Sequence, residues 1–342
     1  MKQLRKHSVG LAVLVAVMVG GCGGGVMTLL AALGIIKLHD VYADIKDSVT
    51  EDPNDTLTLL MDGYVVRTDV PDQRGRLTLD GLPEGRFLIS LVSQDRRRGW
   101  HEVVDTRASS VPVEVNPITG GVVSGTVVRE TTGGGEVAAA NALVAAFYEG
   151  AEKIAGGSAP LALGSDNVEY VLAICDASGQ FTLGPLRYGS WLVGAVLPGY
   201  AADCRRVQVS SGSDIAGMRL KLPVDSGAST GEVRGTVARK GSGQPLQDAL
   251  ARADLKTPLV PRISSEAQQS VAASLGQNLP ADRWFSVPFV PTVSGADGGY
   301  DMELPAGAAR LWAYHYGFKG AYADIEVDRD RVQKRDFELE SR

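Results

Sequence analysis

The residues best suited to binding chemistry form an aromatic stripe near the carboxyl end of the chain. Placing Gly307 on Gly189 puts four side chains on one face of a predicted strand: Arg310, Trp312, Tyr314 and Tyr316. Side chains alternate between the two faces of a strand, so these four would project together from a sheet. An exposed row of rings could stack on sugars or on an apolar partner. The preferred alternative is that the segment 257–292, which has its own aromatic residues, folds over the stripe as a second small core.

The amino-terminal segment has the pattern of an export signal. Basic residues near the start precede an uncharged apolar run of eleven residues, 9–19, which is typical of a signal peptide and too short to span a bilayer. Val19-Gly20-Gly21-Cys22 follows and resembles the lipobox of bacterial lipoproteins. That resemblance implies cleavage before Cys22, diacylation of its thiol and, because Gly23 follows, sorting to the outer membrane. The alternatives are a free Cys22 in a glycine-rich hinge and a transmembrane helix built from residues 9–36.

The segment after Cys22 is predicted to form one amphipathic helix over residues 26–49. Residues 26–36 are largely apolar, and apolar side chains then recur at helical spacing: Leu38, Val41, Tyr42, Ile45 and Val49. Acidic residues fall mostly on the opposite face. Such a helix would lie on the membrane or pack on the first domain.

Two further cysteines, Cys175 and Cys204, suggest a disulfide, because an even pair in an exported protein is commonly bonded. Cys175 ends a predicted strand and Cys204 follows Gly199-Tyr200, so both are expected at one end of the same domain. Closing that loop would stabilise the fold by about 3 kcal/mol. Neither cysteine belongs to a CxxC pair or has a neighbouring histidine, which argues against metal binding or thiol redox chemistry.

Catalytic motifs are missing from the sequence. Its four histidines, His7, His39, His101 and His315, are scattered, and no HExxH, GxSxG or P-loop pattern occurs. His101 adjoins Glu102, a pairing that could suggest general-base chemistry, but a surface histidine beside a carboxylate is the preferred interpretation. We therefore predict no enzymatic activity, no cofactor and no metal site.

The charge balance argues against nucleic acid as a partner. The 342 residues carry a net charge of −6, and removal of the basic signal segment would make the chain more negative. Nucleic-acid binding needs a basic face. The local exception is Arg96-Arg97-Arg98, which we interpret as a solvated turn.

The elements that must position these residues come as a repeated unit. A turn, a strand, a tight glycine turn and a second strand occur three times, over 72–100, 176–200 and 297–318. The spacing from the tight-turn glycine to the closing glycine is ten residues in both the second and the third copy, from Gly189 to Gly199 and from Gly307 to Gly317. We predict each unit to be a β-hairpin, and turn signals about every 8–12 residues are typical of a small Greek-key sandwich.

Several motifs recur within these copies. They are a Gly-x-Val opening at Gly125 and Gly235, Asp-x-x-Gly-x-Phe-x-Leu at 176–183, Leu-Pro-x-Gly at 304–307 and a closing Gly199-Tyr200. Together they resemble the carboxypeptidase regulatory-like domains, which share a transthyretin-like, seven-stranded sandwich. The resemblance covers 122–222 and 233–340 and part of 56–115, where the Gly-x-Val opening is missing. It implies a fold but little about function, because such domains accompany enzymes, receptors and adhesins alike.

The predicted organisation is all-β, with tandem small Greek-key sandwiches behind an anchor segment. Its parts are a signal peptide at 1–21, the lipidated Cys22 with helix and linker at 22–54, a partial or short sandwich at 55–116, a sandwich at 118–224 and a sandwich at 230–342 with an insertion at about 257–292. A short helix at about 265–275, with Ser264 as its N-cap, is expected inside that insertion.

These features predict a non-catalytic exported lipoprotein of the cell envelope that acts as a binding or scaffold protein. The alternative is a carbohydrate- or peptidoglycan-binding module that uses the aromatic stripe. The expected partners are the membrane, through the lipid anchor, and another envelope protein or a glycan.

Overall fold

The computed structural model describes residues 40–45, 56–69, 76–79, 85–106, 110–115, 118–149, 161–163, 169–211, 213–269 and 285–342. The expected signal peptide, Cys22 and most of the expected amphipathic helix lie outside these residues. Strands dominate the described part of the chain, and a helical turn covers 265–269. No helix in those ranges is both long and apolar enough to cross a bilayer.

Two sheets make up the first module. One has the order β4-β1-β7 and the other the order β3-β2-β5-β6-β8. The strands are β1 (Asp40–Ile45), β2 (Leu57–Met61), β3 (Tyr64–Asp69), β4 (Arg76–Leu79), β5 (Arg86–Ser93), β6 (Arg98–Asp105), β7 (Ser110–Val115) and β8 (Ile118–Thr119).

The second module is a sandwich of a β10-β9-β14 sheet, with β17 also paired to β9, and a β13-β11-β15-β16 sheet. Its core is shared by both sheets, with Trp191 and Phe181 among its largest members. The strands are β9 (Gly121–Glu130), β10 (Glu136–Ala138), β11 (Leu143–Tyr148), β12 (Leu161–Ala162), β13 (Tyr170–Ile174), β14 (Gln180–Leu186), β15 (Gly189–Val196), β16 (Asp203–Val209) and β17 (Ile215–Leu222), of which β12 joins a sheet of the third module.

The third module repeats this plan with the sheets β21-β18-β26-β23, to which β25 is added, and β12-β20-β19-β22-β24. Tyr300, Leu311 and Phe337 lie in its core. The strands are β18 (Thr230–Arg239), β19 (Leu250–Leu259), β20 (Phe285–Val293), β21 (Gly299–Pro305), β22 (Gly307–Tyr314), β23 (Phe318–Lys319), β24 (Ala321–Val327), β25 (Val332–Lys334) and β26 (Phe337–Ser341). The prediction of tandem β-sandwiches is therefore confirmed.

The repeated unit is a corner between two sheets, not the predicted hairpin. β14 pairs with β9, whereas β15 pairs with β11 and β16. A tight two-residue hairpin of type I′ needs positive φ at both connecting residues, but neither Arg187 nor Tyr188 has it. Positive φ occurs instead at Gly189 and, in the third module, at Gly307. These glycines turn the chain from one sheet to the other.

The amphipathic helix predicted for 26–49 is wrong at residues 40–45, which form β1. This strand is antiparallel to β4 and parallel to β7. β9 has the same two kinds of neighbour in β14 and β17, and β18 has them in β21 and β26. The first module thus has an opening strand, although it lacks the Gly-x-Val motif. Val41 and Ile45 fit a period of two as well as one of four, so distant pairing decides the structure.

The insertion expected at 257–292 is narrower, because β19 extends to Leu259 and β20 begins at Phe285. The predicted helix is present at 265–269, and Ser264 caps it: its Oγ accepts a hydrogen bond of 3.2 Å from the Ala267 N–H. Residues 270–275 of that helix lie outside the described part of the chain.

Candidate functional site: the junction between the modules

The predicted aromatic stripe is used inside the protein. Trp312 and Tyr314 are 2% and 0% exposed, and they pack with side chains of β2, β5 and β6 in one cluster. The Phe87 ring meets Trp312 edge-on, with centroids 5.7 Å apart. The expectation of an exposed stripe fails at these two positions. The preferred alternative, in which the 257–292 segment covers the stripe, is also wrong about the main cover. The first module supplies most of the side chains that pack on Trp312 and Tyr314.

The other two residues of the stripe, Arg310 and Tyr316, are exposed. Arg310 holds Asp324 through two hydrogen bonds of 2.8 and 3.2 Å. Its guanidinium carbon lies 4.8 Å from the centroid of the Tyr322 ring. Arg67 of the first module stacks on the Tyr316 ring and donates a hydrogen bond to its hydroxyl.

Arg252 lies at the centre of the junction. Its guanidinium carbon is 4.8, 4.0 and 5.3 Å from the ring centroids of Phe87, Phe289 and Trp312, so three rings surround the cation. The same group forms a buried ion pair with Asp62 of the first module and a hydrogen bond of 2.6 Å to Asp254. Phe289, which comes from the 257–292 segment, otherwise packs with the second module.

The Asp62 carboxylate is bound both by its own module and by the third module. Its Oδ1 accepts a hydrogen bond of 2.8 Å from the Leu88 N–H, and its Oδ2 faces Arg252. Burial raises the pKa of Asp62 to about 6, and Arg252 limits that rise. The folded protein therefore binds a proton on Asp62 at acidities where the unfolded chain, with an ordinary Asp pKa, does not.

The turn that presents Asp62 rests on the second module. Asp62 and Gly63 connect β2 to β3 with φ values of 51° and 84°. A Cβ on Gly63 would lie 2.8 Å from the Ala173 Cα of β13, so the backbones touch here and a side chain would separate them. One short turn thus contacts both neighbouring modules.

The hub formed by Asp62, Arg252 and Asp254 was not predicted from the sequence. Two signals were present: Asp-Gly between two apolar runs marks a tight turn, and Arg252 is a lone charge in the apolar stretch 249–253. Neither shows that the two positions meet, because they lie 190 residues apart in sequence.

The Arg96-Arg97-Arg98 loop also fastens modules together and is not simply the expected solvated turn. Arg96 donates a hydrogen bond of 2.8 Å to the Thr182 carbonyl of β14. Burial lowers the pKa of Arg96. Arg97 pairs with Asp214 at 2.8 Å.

His101 is likewise a junction residue. Its side chain is 6% exposed, and its Nε2 lies 3.5 Å from Oε1 of Glu169 in the second module, not against the adjacent Glu102. Glu169 in turn lies 3.0 Å from the Arg187 Nε. The Glu169 carboxylate therefore lies between His101 of the first module and Arg187 of the second.

Cys175 and Cys204 are free and buried, so the predicted disulfide is absent. Cys175 follows β13 and Cys204 belongs to β16, at opposite edges of one four-stranded sheet. Three strand spacings separate the edges by about 14 Å, whereas bonded Cα atoms lie within about 7 Å. The side chains also enter different apolar clusters. Burial raises the pKa of both thiols to about 12.

A cleft of about 690 Å³ lies between the second and third modules. Several of its polar lining residues contact each other: Arg234 pairs with Glu232 and Asp301, while Glu303 accepts a hydrogen bond from Thr230. Burial and the neighbouring Glu232 raise the pKa of Asp301. Among the described residues, no three His, Cys, Asp or Glu side chains are placed to hold a metal ion.

Comparison with known proteins gives distant structural likenesses only. No family model matches the chain, and no curated protein matches it. The Bacillus anthracis TIE protein is 12% identical with a TM-score of 0.22, and the alignment covers 89% of this chain and 51% of that one. The shaft pilin SpaA from Lactobacillus rhamnosus GG is 15% identical over 66% of this chain and 98% of the pilin, with a TM-score of 0.24.

The minor pilin GBS52 of Streptococcus agalactiae is 12% identical over 65% of this chain and 96% of the pilin, with a TM-score of 0.22. The present chain spans about half of the TIE protein and nearly all of each pilin. TM-scores this low support no inference about the function of this chain.

Proposed function

We propose that this protein is an exported, lipid-anchored scaffold of the cell envelope, built from three carboxypeptidase regulatory-like sandwiches and without catalytic activity. The observation that supports a scaffold most directly is the junction between the modules. Trp312 and Tyr314, which looked suited to a ligand, instead hold the modules together, and Arg252 packs against Trp312 in the same junction.

The contacts between modules are extensive enough for a rigid body. One apolar cluster joins the first and third modules, and a second joins Leu88 of the first module to side chains of both others. The backbones of the second and third modules also pair directly: β12 adds to β20, and Ala202 forms a β-bridge with Ile263. A body fixed in this way would hold its far surface, and any envelope protein or glycan bound there, at a set position.

The distance from the membrane follows from the start of the first module. Seventeen residues separate Cys22 from Asp40, where β1 begins. At about 3.3–3.6 Å per residue, a fully extended tether of that length would reach about 60 Å at most. The lipidated chain would therefore keep the three modules close to the bilayer.

The anchor is tested by labelling cells with radioactive palmitate. We expect Cys22→Ala to lose the label and to leave the membrane fraction, because its thiol would carry the acyl group. Gly23→Ala is the matched control, since it changes the adjacent residue and keeps the thiol. Equal labelling of the wild type and Cys22→Ala would refute the lipid anchor.

A further inference from the structure

The opening and closing strands of every module are parallel neighbours. β1 pairs with β7 over 40–45 and 110–115. β9 pairs with β17 from the partners Val123 and Ile215 to the partners Arg129 and Leu222, with one irregularity in the register. β18 pairs first with β25 and then with β26. The two strands by which the chain enters and leaves a module are thus joined directly to each other.

This arrangement fixes how tension along the chain would act. The chain enters at the amino end of the opening strand and continues from the carboxyl end of the closing strand; in the first module the two-residue β8 follows and pairs with β6. Because the two strands are parallel, pulling on the chain drives them in opposite directions along their common axis. The evenly spaced hydrogen bonds of a parallel ladder then share the force. A force that separated the strands from one end would load those bonds one at a time.

We infer that each module is built to bear tension along the chain, a mechanical function that goes beyond the proposed scaffold role and does not depend on the lipid anchor. The three modules differ in their loops and in how they contact each other. They share the parallel pairing of first and last strands.

The Gly-x-Val motif supports this pairing in the second and third modules. At Gly125 the Met218 carbonyl oxygen of β17 occupies the space of a Cβ, and at Gly235 the Arg335 carbonyl oxygen does the same. A side chain at either glycine would push the closing strand away. The two glycines 110 residues apart in sequence therefore mark points where the closing strand passes close to its partner.

Polar side chains reinforce the same seam. Asp336, between β25 and β26, accepts hydrogen bonds of 2.9 and 3.0 Å from the N–H and hydroxyl of Thr236 in β18. In the second module Lys221 of β17 lies 2.6 Å from Glu130 at the end of β9.

The inference is tested by pulling the third module in two directions in single-molecule force measurements. Both variants carry Cys22→Ala and Arg342→Cys in the full chain, and the second handle is at Ser226→Cys or at Ser242→Cys, both exposed. The 226/342 pair pulls β18 and β26 in opposite directions along their axis. The 242/342 pair pulls on the adjacent carboxyl ends of the same two strands and peels them apart. Cys175 and Cys204 are buried and stay unlabelled.

We expect the 226/342 geometry to rupture at a force at least about twofold higher than the 242/342 geometry, because its ladder bonds break together. Equal forces in the two geometries would overturn the inference. This comparison leaves the core untouched, so it remains decisive if a glycine variant fails to fold.

A second measurement tests the role of the seam. Gly235→Ala should lower the force in the 226/342 geometry and leave the 242/342 force nearly unchanged. Gly227→Ala, in the connecting turn where a Cβ meets only ordinary contacts, should change neither. Equal effects of the two substitutions would contradict a special role for the opening-strand glycine.

Discussion

Arg252 shows how one side chain can determine whether a set of aromatic residues forms a binding surface. In isolation, Trp312 and Phe289 could accept a ligand cation. Here Arg252 of the same chain fills that position between Phe87, Phe289 and Trp312, and Asp62 and Asp254 balance its charge. The faces of these rings are therefore occupied by Arg252 inside the protein.

Arg252→Met should destabilise the protein by about 3–5 kcal/mol at pH 7.5, because it leaves the Asp62 carboxylate buried without its partner. Urea unfolding measures this change. Arg234→Met is the control: its ion pairs are largely exposed, so its loss should stay below about 1 kcal/mol. A loss as small as that of the control would contradict the role given to Arg252.

The loss in Arg252→Met should also shrink as the pH falls to 5. Asp62 has a raised pKa of about 6 in the folded protein and a value of 3.8 without its surroundings. Such a group favours folding most when it is protonated, and that contribution is lost as the pH rises through the folded pKa. Removing Arg252 raises this pKa further, so the penalty should be greatest at high pH. A loss independent of pH would contradict this account.

At the scale of elements, the three modules differ in one connection within the sheet that lacks the opening strand, the connection between the first two of the module's own strands in that sheet. It is the two-residue turn Asp62-Gly63 in the first module and a long segment in the second and third. Those long segments supply β12 and Ile263, which pair with the other module. The variable connections therefore fasten the modules.

Gly63→Ala tests the contact of the short turn with β13. Gly134→Ala is matched to it, because both glycines have φ near 80° but only Gly63 touches another backbone. Each substitution should lose about 1 kcal/mol from unfavourable φ, and Gly63→Ala should lose more because its Cβ meets Ala173. Urea unfolding of both variants measures the difference, and equal losses would show that the contact is unimportant.

Local patterns in the sequence predict the strands well and their partners poorly. β2, β5 and β15 follow apolar runs and turn residues, so their existence was predictable. Whether β14 and β15 share a sheet depends on the backbone at residues 187–189, which residue types alone do not specify. β1 was taken for a helix because Val41 and Ile45 satisfy both periods, and only pairing with β4 and β7, some 35 and 70 residues later, decides.

The junction was out of reach for the same reason. Trp312 was singled out from its alternation with core residues, and its place on the outer face of the module's own sheet is correct. What covers that face is a different module, and no spacing within residues 307–318 reports it.

At the scale of the whole molecule, the first and third modules share a core and should depend on each other. Phe87→Ala removes the ring that meets Trp312, and we expect a loss of about 3–5 kcal/mol together with greater modification of Trp312 in hydroxyl-radical footprinting. Phe181→Ala is the control, because that ring is buried within the second module. It should cost similar stability and leave Trp312 protected. Exposure of Trp312 in both variants would mean that the effect is not specific to the junction.

The pairing of β12 with β20 of the third module also sets an order of events in time. β12 can pair with β20 only once β20, about 120 residues further along the chain, is available. A chain that emerges amino end first, from a ribosome or an export channel, completes the second module's own sheets while this segment is still unpaired. At about 5–20 residues per second, synthesis would leave it so for roughly 6–25 seconds. During that interval the segment is open to proteases and chaperones, and the arrival of β20 ends the exposure.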